Sequence, residues 1–236
     1  MLSIVSTPIG NLGDITVRAL ETLKACTAIV CEDTRVTGQL LKLLNLPKKE
    51  LISFHGYTDP SKADVIIERL KKGEHLCVVS DAGTPCISDP GYVLISKVRE
   101  ANLEIEVLPG ASAFLAAISA SGLPMNTFTY LGFLPIKKGR KTLLQTFKEE
   151  EKTIVFYESP HRILKTLGEL ATTLADQPDR EIVIARELTK LHEQIIYTSI
   201  GALESAAKAM IVKGEFVVVV GPLYLTPPRR AGHLSP

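Results

Sequence analysis

The sequence predicts an α/β protein of two α/β domains with mixed, mainly parallel sheets. Short runs rich in β-branched residues alternate with stretches whose apolar residues recur at helical spacing, which is typical of βα units. A composition shift near Pro109, followed by the chain breaker at 122–124, indicates a domain boundary. The length of 236 residues lies between one large domain and two modest ones, on a prior of roughly 150 residues per domain. We therefore expect domains at 1–113 and 114–225, and a flexible tail at 226–236.

The strands follow from short apolar runs bounded by turn residues. They are expected at 3–6, 28–31, 52–54, 76–80, 105–108, 127–131, 153–157, 182–185, 195–198 and 216–220. Apolar residues three and four apart predict helices, at 17–23, 36–44, 65–70, 160–174 and 202–210. Ser159-Pro160 predicts the start of the fourth of these helices, because a capping serine precedes a proline at the first helical position.

Composition and charge exclude several classes of protein. Apolar residues make up 45% and charged residues 22%, as in ordinary folded domains. The net charge of +1 gives no global attraction to RNA or to an anionic membrane, so contacts with nucleic acid must come from local patches. No apolar run is long enough to span a membrane, and the N-terminus lacks the basic region of a signal peptide. The cysteines and histidines show no spacing typical of disulfides or metal sites, so we expect a cytoplasmic protein without metal.

Loops that follow strands of the first domain are the candidate ligand contacts. Residues 6–14 contain neither the glycine fingerprint for dinucleotides nor a Walker loop for nucleoside triphosphates. The loop at 80–91 is richer in glycine, proline, acidic and hydroxyl residues than a plain connection requires. Its Asp81 can accept hydrogen bonds from a ligand, or it can be an ordinary turn residue. Residues 109–113 repeat this layout, and there Ser112 can line a pocket or cap the next helix.

Two charged segments have both a functional and a structural interpretation. Residues 32–35 (Glu-Asp-Thr-Arg) follow the second strand, where they can face a substrate phosphate or hydroxyl or cap the next helix. Residues 137–141 (Lys-Lys-Gly-Arg-Lys) form the strongest basic cluster of the chain, although charge runs are usually solvated surface.

Taken together, nine segments resemble one family. The chain is similar to the bacterial 16S ribosomal RNA cytidine 2′-O-methyltransferases of the tetrapyrrole methylase superfamily. The similarity extends from about residue 3 to Gly221. The segments are T-P-I-G-N-L-G-D-I-T at 7–16, E-D-T-R at 32–35, S-D-A-G-T-P-C-I-S-D-P-G at 80–91, P-G-A-S-A at 109–113, S-G-L-P at 121–124, G-F-L-P at 132–135, S-P-H-R at 159–162, A-R-E-L-T-K at 185–190 and K-G-E-F at 213–216.

The resemblance implies a homodimer with S-adenosylmethionine as methyl donor in the cleft between the two domains of each subunit. It also implies 16S rRNA in the small ribosomal subunit as the substrate. The implied cofactor-binding residues are Pro8, Asp81, Ala82, Gly83, Thr84, Ser112, Ala113, Tyr157, Leu188 and Gly214. The chain departs from the family pattern at 55–60, where an acidic, asparagine-containing stretch is usual. It also departs after Gly221, where many members continue with a helical region.

A ribose hydroxyl is a poor nucleophile, so a general base or a hydrogen-bond acceptor should assist the transfer. Asp33 is the first candidate for that role and Asp89 the second. The residues expected to hold RNA phosphates without reading bases are Arg35, Lys137, Lys138, Arg140 and Lys141.

Three other functions compete with this one. The nearest is a methyltransferase of the same fold that acts on a tetrapyrrole precursor, which the segments at 32–35 and 159–162 disfavour. A second is a non-catalytic ribosome-assembly factor, which the complete loop at 81–85 disfavours. A nicotinamide oxidoreductase is the weakest, because the glycine fingerprint is absent.

Overall fold

The computed structural model describes residues 1–54, 60–87 and 91–223, and it divides the chain into two compact units, Met1–Ala113 and Phe114–Pro236. Asp89, part of the 55–60 departure and the predicted tail lie outside the described residues. Among the described helices, none has the length and apolar character needed to cross a membrane. No cluster of metal-ligating side chains occurs within the described ranges.

The first unit contains a five-stranded sheet in which every pair of neighbouring strands is parallel. Its strands are β1 (Leu2–Val5), β2 (Ala28–Cys31), β3 (Glu50–Ser53), β4 (Leu76–Val78) and β5 (Ile105–Leu108), in the order β3-β2-β4-β1-β5. The helices are α1 (Val17–Ala25), α2 (Thr34–Leu43), α3 (Pro60–Lys71) and α4 (Tyr92–Glu100). The chain leaves β1 toward β2 on one side and leaves β4 toward β5 on the other, so its winding reverses between β1 and β4. That position is the topological switch point, where sheets of this kind bind ligands.

Both faces of the central strands of this sheet are buried, which explains why β1, β2 and β4 are mainly apolar. Successive residues of β2 alternate between two apolar clusters, with Val30 in one and Ile29 in the other. The first cluster includes Ile66 of α3 and Leu94 of α4, and the second includes Leu23 of α1.

The second unit contains a mixed five-stranded sheet. Its strands are β6 (Phe128–Phe133), β7 (Thr153–Glu158), β8 (Glu181–Arg186), β9 (Gln194–Ser199) and β10 (Phe216–Val220), in the order β6-β7-β10-β8-β9. Only the β6–β7 pair among these is parallel. The helices are α5 (Ala113–Ser121), α6 (Arg140–Thr146), α7 (Ile163–Thr173) and α8 (Leu203–Ala209). One face of the sheet packs with α6, α7 and α8 around Phe156, Leu167 and Val218.

The predicted fold class is confirmed, with an all-parallel first sheet and a mixed second one. One predicted helix start is wrong. Helix α7 begins at Ile163, because the carbonyl of Ser159 accepts hydrogen bonds from the N–H groups of Arg162 and Ile163 in a preceding turn. The N–H of Ser159 donates to the carboxylate of buried Glu158 at 2.8 Å. Ser159 is therefore part of a turn, and no side chain caps α7.

Candidate functional site

The loops after β1 and β4 are joined across the switch point of the first sheet. Thr7 and Gly83 form an antiparallel bridge in which the N–H of Thr7 donates to the carbonyl of Gly83 at 2.9 Å and the reverse bond measures 3.1 Å. The buried hydroxyl of Thr7 also donates to the carbonyl of Ser80 at 3.2 Å. These bonds place buried Pro8 next to a residue of the 81–84 loop.

The loop after β5 is attached to the same two loops through hydroxyl groups. Ser6 Oγ lies 3.2 Å from Thr84 Oγ1 and 3.2 Å from the carbonyl of Leu108. Thr84 Oγ1 donates in turn to the carbonyl of Ala111 at 3.1 Å. The structure thus brings the predicted residues Pro8, 81–84 and 112–113 to one edge of the first sheet. Ser6 and Thr7, which hold these loops together, were not predicted as site residues, although both belong to the quoted strand end and loop.

The loop after β2 joins this edge through a carboxylate. Asp81 Oδ1 accepts a hydrogen bond from the backbone N–H of Asp33 at 3.1 Å. Asp81 is partly exposed, and Ala82 beside it is exposed. One oxygen of Asp81 therefore fixes the segment 32–35, and the carboxylate as a whole still borders solvent.

Two glycines keep this edge free of side chains. Gly83 has a φ of +83°, and a Cβ at this position would lie 3.2 Å from Ile9 Cγ2 and 3.5 Å from the carbonyl oxygen of Ala111. A Cβ at Gly110 would lie 2.6 Å from the Cβ of Ser6. The loops therefore approach one another more closely than any larger residue allows.

Asp33 has a structural role in addition to any catalytic one. Its carboxylate caps α2 by accepting from the N–H of Arg35 at 2.8 Å, and it forms an ion pair with the Arg35 guanidinium at 2.6 Å. Hydrogen bonding to Arg35 lowers the pKa of Asp33 to about 2. Asp33 is consequently ionised throughout the neutral range, and it does not titrate there as a general base would. The Arg35 side chain itself is 89% exposed, so its outer nitrogens remain accessible to a phosphate.

The predicted residues of the second unit lie at one edge of the second sheet. Tyr157 is near the carboxyl end of β7, Leu188 follows the carboxyl end of β8, and Gly214 precedes β10, which pairs antiparallel with both. Gly214 has a φ of +88°, and a Cβ there would lie 2.4 Å from Cδ of Glu187. Glu187 Oε1 accepts a hydrogen bond from the N–H of Glu215 at 3.0 Å. This bond joins the residue after β8 to the residue before β10.

The loop after β8 has an unusual backbone. Glu187 and Thr189 adopt φ values of +51° and +67°, a conformation that costs non-glycine residues on the order of 1–3 kcal/mol and that clusters at ligand sites. Buried Arg186 holds this loop by donating to the carbonyls of Lys213 at 2.6 Å and His192 at 3.0 Å. Arg186 was not predicted as a cofactor contact, and its place in the segment 185–190 was the sequence signal for it.

The basic cluster separates into exposed and buried members. Lys137, Lys138 and Lys141, hereafter the exposed lysine cluster, are exposed and form no ion pair with any described residue. The prediction that Arg140 faces RNA is corrected here, because its side chain is buried. The Arg140 guanidinium donates to Glu169 Oε2 at 2.8 Å, to Thr166 Oγ1 at 2.7 Å and to the carbonyl of Pro135 at 3.0 Å.

A buried carboxylate organises the same region. Glu158, which is 1% exposed, forms an ion pair with Arg162 at 2.7 Å and accepts from Thr166 Oγ1 at 2.7 Å. Arg162 also donates to the carbonyl of Leu134 at 3.0 Å. Arg140 and Arg162 thus fix consecutive carbonyls of the segment that follows β6.

Most of the chain is similar to proteins named ribosomal RNA small subunit methyltransferase I. Residues 1–204 match the family model of the tetrapyrrole (corrin/porphyrin) methylases. The chain is 45% identical over 222 residues to the ribosomal RNA small subunit methyltransferase I of Escherichia coli O157:H7, which covers 93% of this chain and 77% of that protein. The protein of the same name from Thermotoga maritima is 42% identical over 219 residues, which covers 93% of this chain and 97% of that protein.

Solved structures share the fold at low sequence identity. A cobalt-precorrin-4 methyltransferase of cobalamin biosynthesis superposes with a TM-score of 0.66 at 17% identity, covering 93% of this chain and 94% of that chain. A uroporphyrin-III C-methyltransferase from Thermus thermophilus, solved with S-adenosylhomocysteine, gives a TM-score of 0.63 at 17% identity, covering 93% and 96%. At this identity the likeness concerns the fold alone.

Proposed function

Because the chain belongs to the tetrapyrrole methylase family, we propose that it is an S-adenosylmethionine-dependent methyltransferase of ribosomal RNA. Its specific reaction is methylation of the 2′-hydroxyl of a cytidine in 16S rRNA of the small subunit. The proposed substrate class rests on one observation. Over nearly the whole chain, the sequence is 42–45% identical to proteins named ribosomal RNA small subunit methyltransferase I.

The edge of the first sheet fits the proposed cofactor. S-adenosylmethionine has no phosphate, and the loops after β1, β4 and β5 contain no phosphate-binding fingerprint. Gly83 leaves open the space that a Cβ would fill between Ile9 and Ala111. Asp81, partly exposed beside it, supplies a carboxylate for the ammonium or hydroxyl groups of the cofactor. We propose that Pro8, Ala82, Thr84, Ser112 and Ala113 also contact the cofactor, and the family resemblance adds Tyr157, Leu188 and Gly214 as cofactor contacts.

The bound cofactor supplies an electrophilic methyl group on a sulfonium, so the protein's main task is to orient the acceptor hydroxyl. Asp33 stays our first candidate for contact with that hydroxyl, as an ionised hydrogen-bond acceptor held in place by Arg35 and by the contact of its N–H with Asp81. Asp89 stays the second candidate. Arg35 and the exposed lysine cluster are proposed to bind phosphates, which orients RNA without reading its bases.

A methyl-transfer assay with two acceptors tests the proposal. Purified protein is incubated with methyl-labelled S-adenosylmethionine and either unmodified small ribosomal subunits or uroporphyrinogen III. We expect label in the RNA only. Label in the tetrapyrrole only would establish the competing methyltransferase function, and calorimetric binding of S-adenosylhomocysteine without any transfer to RNA would favour a non-catalytic assembly factor.

Two further properties belong to the same proposal. The family resemblance implies a homodimer that works in the cytoplasm, where small subunits are available. Sedimentation of the purified protein tests the first property, since a monomer at micromolar concentration would contradict it.

A further inference from the structure

The strongest unexplained feature of the second unit is an exposed aromatic ring at the end of β6. Phe133 is 55% exposed, although its neighbour Leu134 is buried in the core. Ile136, three residues later, is 70% exposed. Single exposed apolar residues are common, so exposure alone does not assign a role to Phe133.

A β-bulge in β6 turns the side chain of Phe133 away from the core of the second unit. Tyr130 pairs with Val155 and Phe133 pairs with Tyr157, so β6 has one residue more than β7 over this interval. Gly132, within the extra stretch, has a φ of +59°. In a regular strand Phe133 would point to the face opposite Tyr130, because side chains alternate. That opposite face packs Leu131 against the core of the second unit.

The bulge therefore places Phe133 on the face of Tyr130 and Tyr157. The ring centroid of Phe133 lies 5.5 Å from that of Tyr157, with the planes tilted by 50°. Tyr157 in turn meets the ring of Tyr130 edge-on at 5.7 Å. Bulges that re-aim a side chain are common beside active sites.

The segment after Phe133 is fixed and carries positive charge. Arg162 and Arg140 each donate to one of the two consecutive carbonyls of Leu134 and Pro135, both at 3.0 Å. The exposed lysine cluster begins at Lys137, four residues after Phe133, and four residues span at most roughly 14 Å. The two arginines thus fix the backbone between an exposed ring and ammonium groups that pair with no described carboxylate.

We propose that Phe133 is the stacking platform for an unpaired base of the RNA substrate, next to phosphates bound by the exposed lysine cluster. The proposal rests on the proposed function, which makes RNA the acceptor. Sequence-specific proteins bind looped RNA by stacking splayed bases on aromatic side chains while cations hold the backbone. An exposed ring followed within a few residues by lysines that form no ion pair with any described residue has the chemistry of such a surface, and Tyr157 packs against the ring.

Binding of a short single-stranded RNA that carries 2-aminopurine, measured by anisotropy and by fluorescence quenching, tests this assignment. Phe133→Ala should weaken binding roughly 5- to 150-fold, the range found for loss of one base–aromatic stack, and should abolish the quenching. Phe133→Trp should retain both. The salt dependence of binding should not change in Phe133→Ala, because no phosphate contact is lost, whereas alanines in the lysine cluster should flatten it. Tyr197→Ala, which removes a 63% exposed ring from β9, is the matched control and should bind like the wild type.

Three outcomes would overturn the proposal. Wild-type affinity and quenching in Phe133→Ala would show that the ring does not contact RNA. If Phe133→Ala loses S-adenosylhomocysteine binding and keeps RNA binding, Phe133 belongs to the cofactor site. If Phe133→Ala shifts toward monomer in sedimentation, Phe133 belongs to an interface between copies of the chain. Failure of the proposed function itself is distinguishable, since the wild-type protein would then not transfer methyl groups to small subunits.

Discussion

Replacing Gly110 by alanine should separate the loops that form the edge of the first sheet. The added methyl group would lie 2.6 Å from the Cβ of Ser6, whereas carbon atoms pack without strain at roughly 3.5–4.0 Å. The loops after β1 and β5 must therefore move apart by roughly 1 Å. This movement stretches the bonds of Ser6 Oγ to Leu108 and Thr84, both 3.2 Å long.

Overpacking of this kind costs about 1–3 kcal/mol of unfolding free energy. For a chain of this length that cost corresponds to a fall in melting temperature of roughly 2–12 °C. Thermal denaturation measures the stability, and calorimetry with S-adenosylhomocysteine measures the affinity, which should also decrease. Gly168→Ala is the control, because its Cβ would lie in open space within α7 and should raise stability by roughly 0.5–1 kcal/mol.

A second substitution distinguishes steric pressure from a general loss of fold. Ser6→Gly removes the atom that the new methyl group would meet, so the double variant should be less destabilised than the sum of the two single variants. Coupling between residues in contact is on the order of 0.5–3 kcal/mol. Additive effects, or unchanged stability and affinity in Gly110→Ala, would refute the loop packing described for this edge.

Other parts of the molecule give three further predictions. Arg140→Ala should cost on the order of 1–3 kcal/mol of unfolding free energy, because it leaves Thr166 and the carbonyl of Pro135 without the buried guanidinium that donates to them, and chemical denaturation checks this; alanines in the exposed lysine cluster should instead leave stability unchanged and flatten the salt dependence of RNA binding. The pKa of Asp33, about 2 in the folded protein and below the ordinary 3.8, means that its stabilising ion pair is present above the ordinary value and is lost only as pH falls through about 2. Asp33→Asn should slow methyl transfer, because it removes the proposed acceptor for the ribose hydroxyl. It should not move any inflection of the pH–rate profile between about pH 5 and 9, because Asp33 does not titrate in that range, and a shifted inflection would contradict this. Gly214→Ala should be more destabilising in thermal denaturation than Gly122→Ala, because both have positive φ and only the former would press a Cβ against Glu187.

The sequence predicted the architecture well where one physical rule dominates. Strands at 28–31, 105–108 and 216–220 have the predicted bounds, because apolar runs between turn residues leave few alternatives. The clustering of loops after β1, β4 and β5 followed from the rule that parallel strands share their carboxyl edge. Neither the exchange of hydrogen bonds between Thr7 and Gly83 nor the anchoring of Asp33 by Asp81 could be predicted, since each joins loops that are far apart in sequence.

The second unit shows why other predictions failed. Arg140 lies in a run of cations that is typical of solvated surface. Its burial depends on Glu169 and Thr166, which lie 29 and 26 residues away in the sequence. The position of Phe133 depends on one extra residue in β6, and Gly132 alone did not indicate a bulge. Such features arise from tertiary contacts, which local propensity does not encode.

Mass-spectrometric analysis of small-subunit RNA after reaction with the purified protein tests the central claim most directly. Unmodified small subunits and S-adenosylmethionine should yield a single new 2′-O-methylcytidine in 16S rRNA. The Asp81→Ala variant, used at the same concentration of folded protein and with a limiting concentration of S-adenosylmethionine, should yield much less of this nucleotide. RNA that gains no methyl group, or a methyl group found on a base and not on a ribose of cytidine, would contradict the proposed reaction.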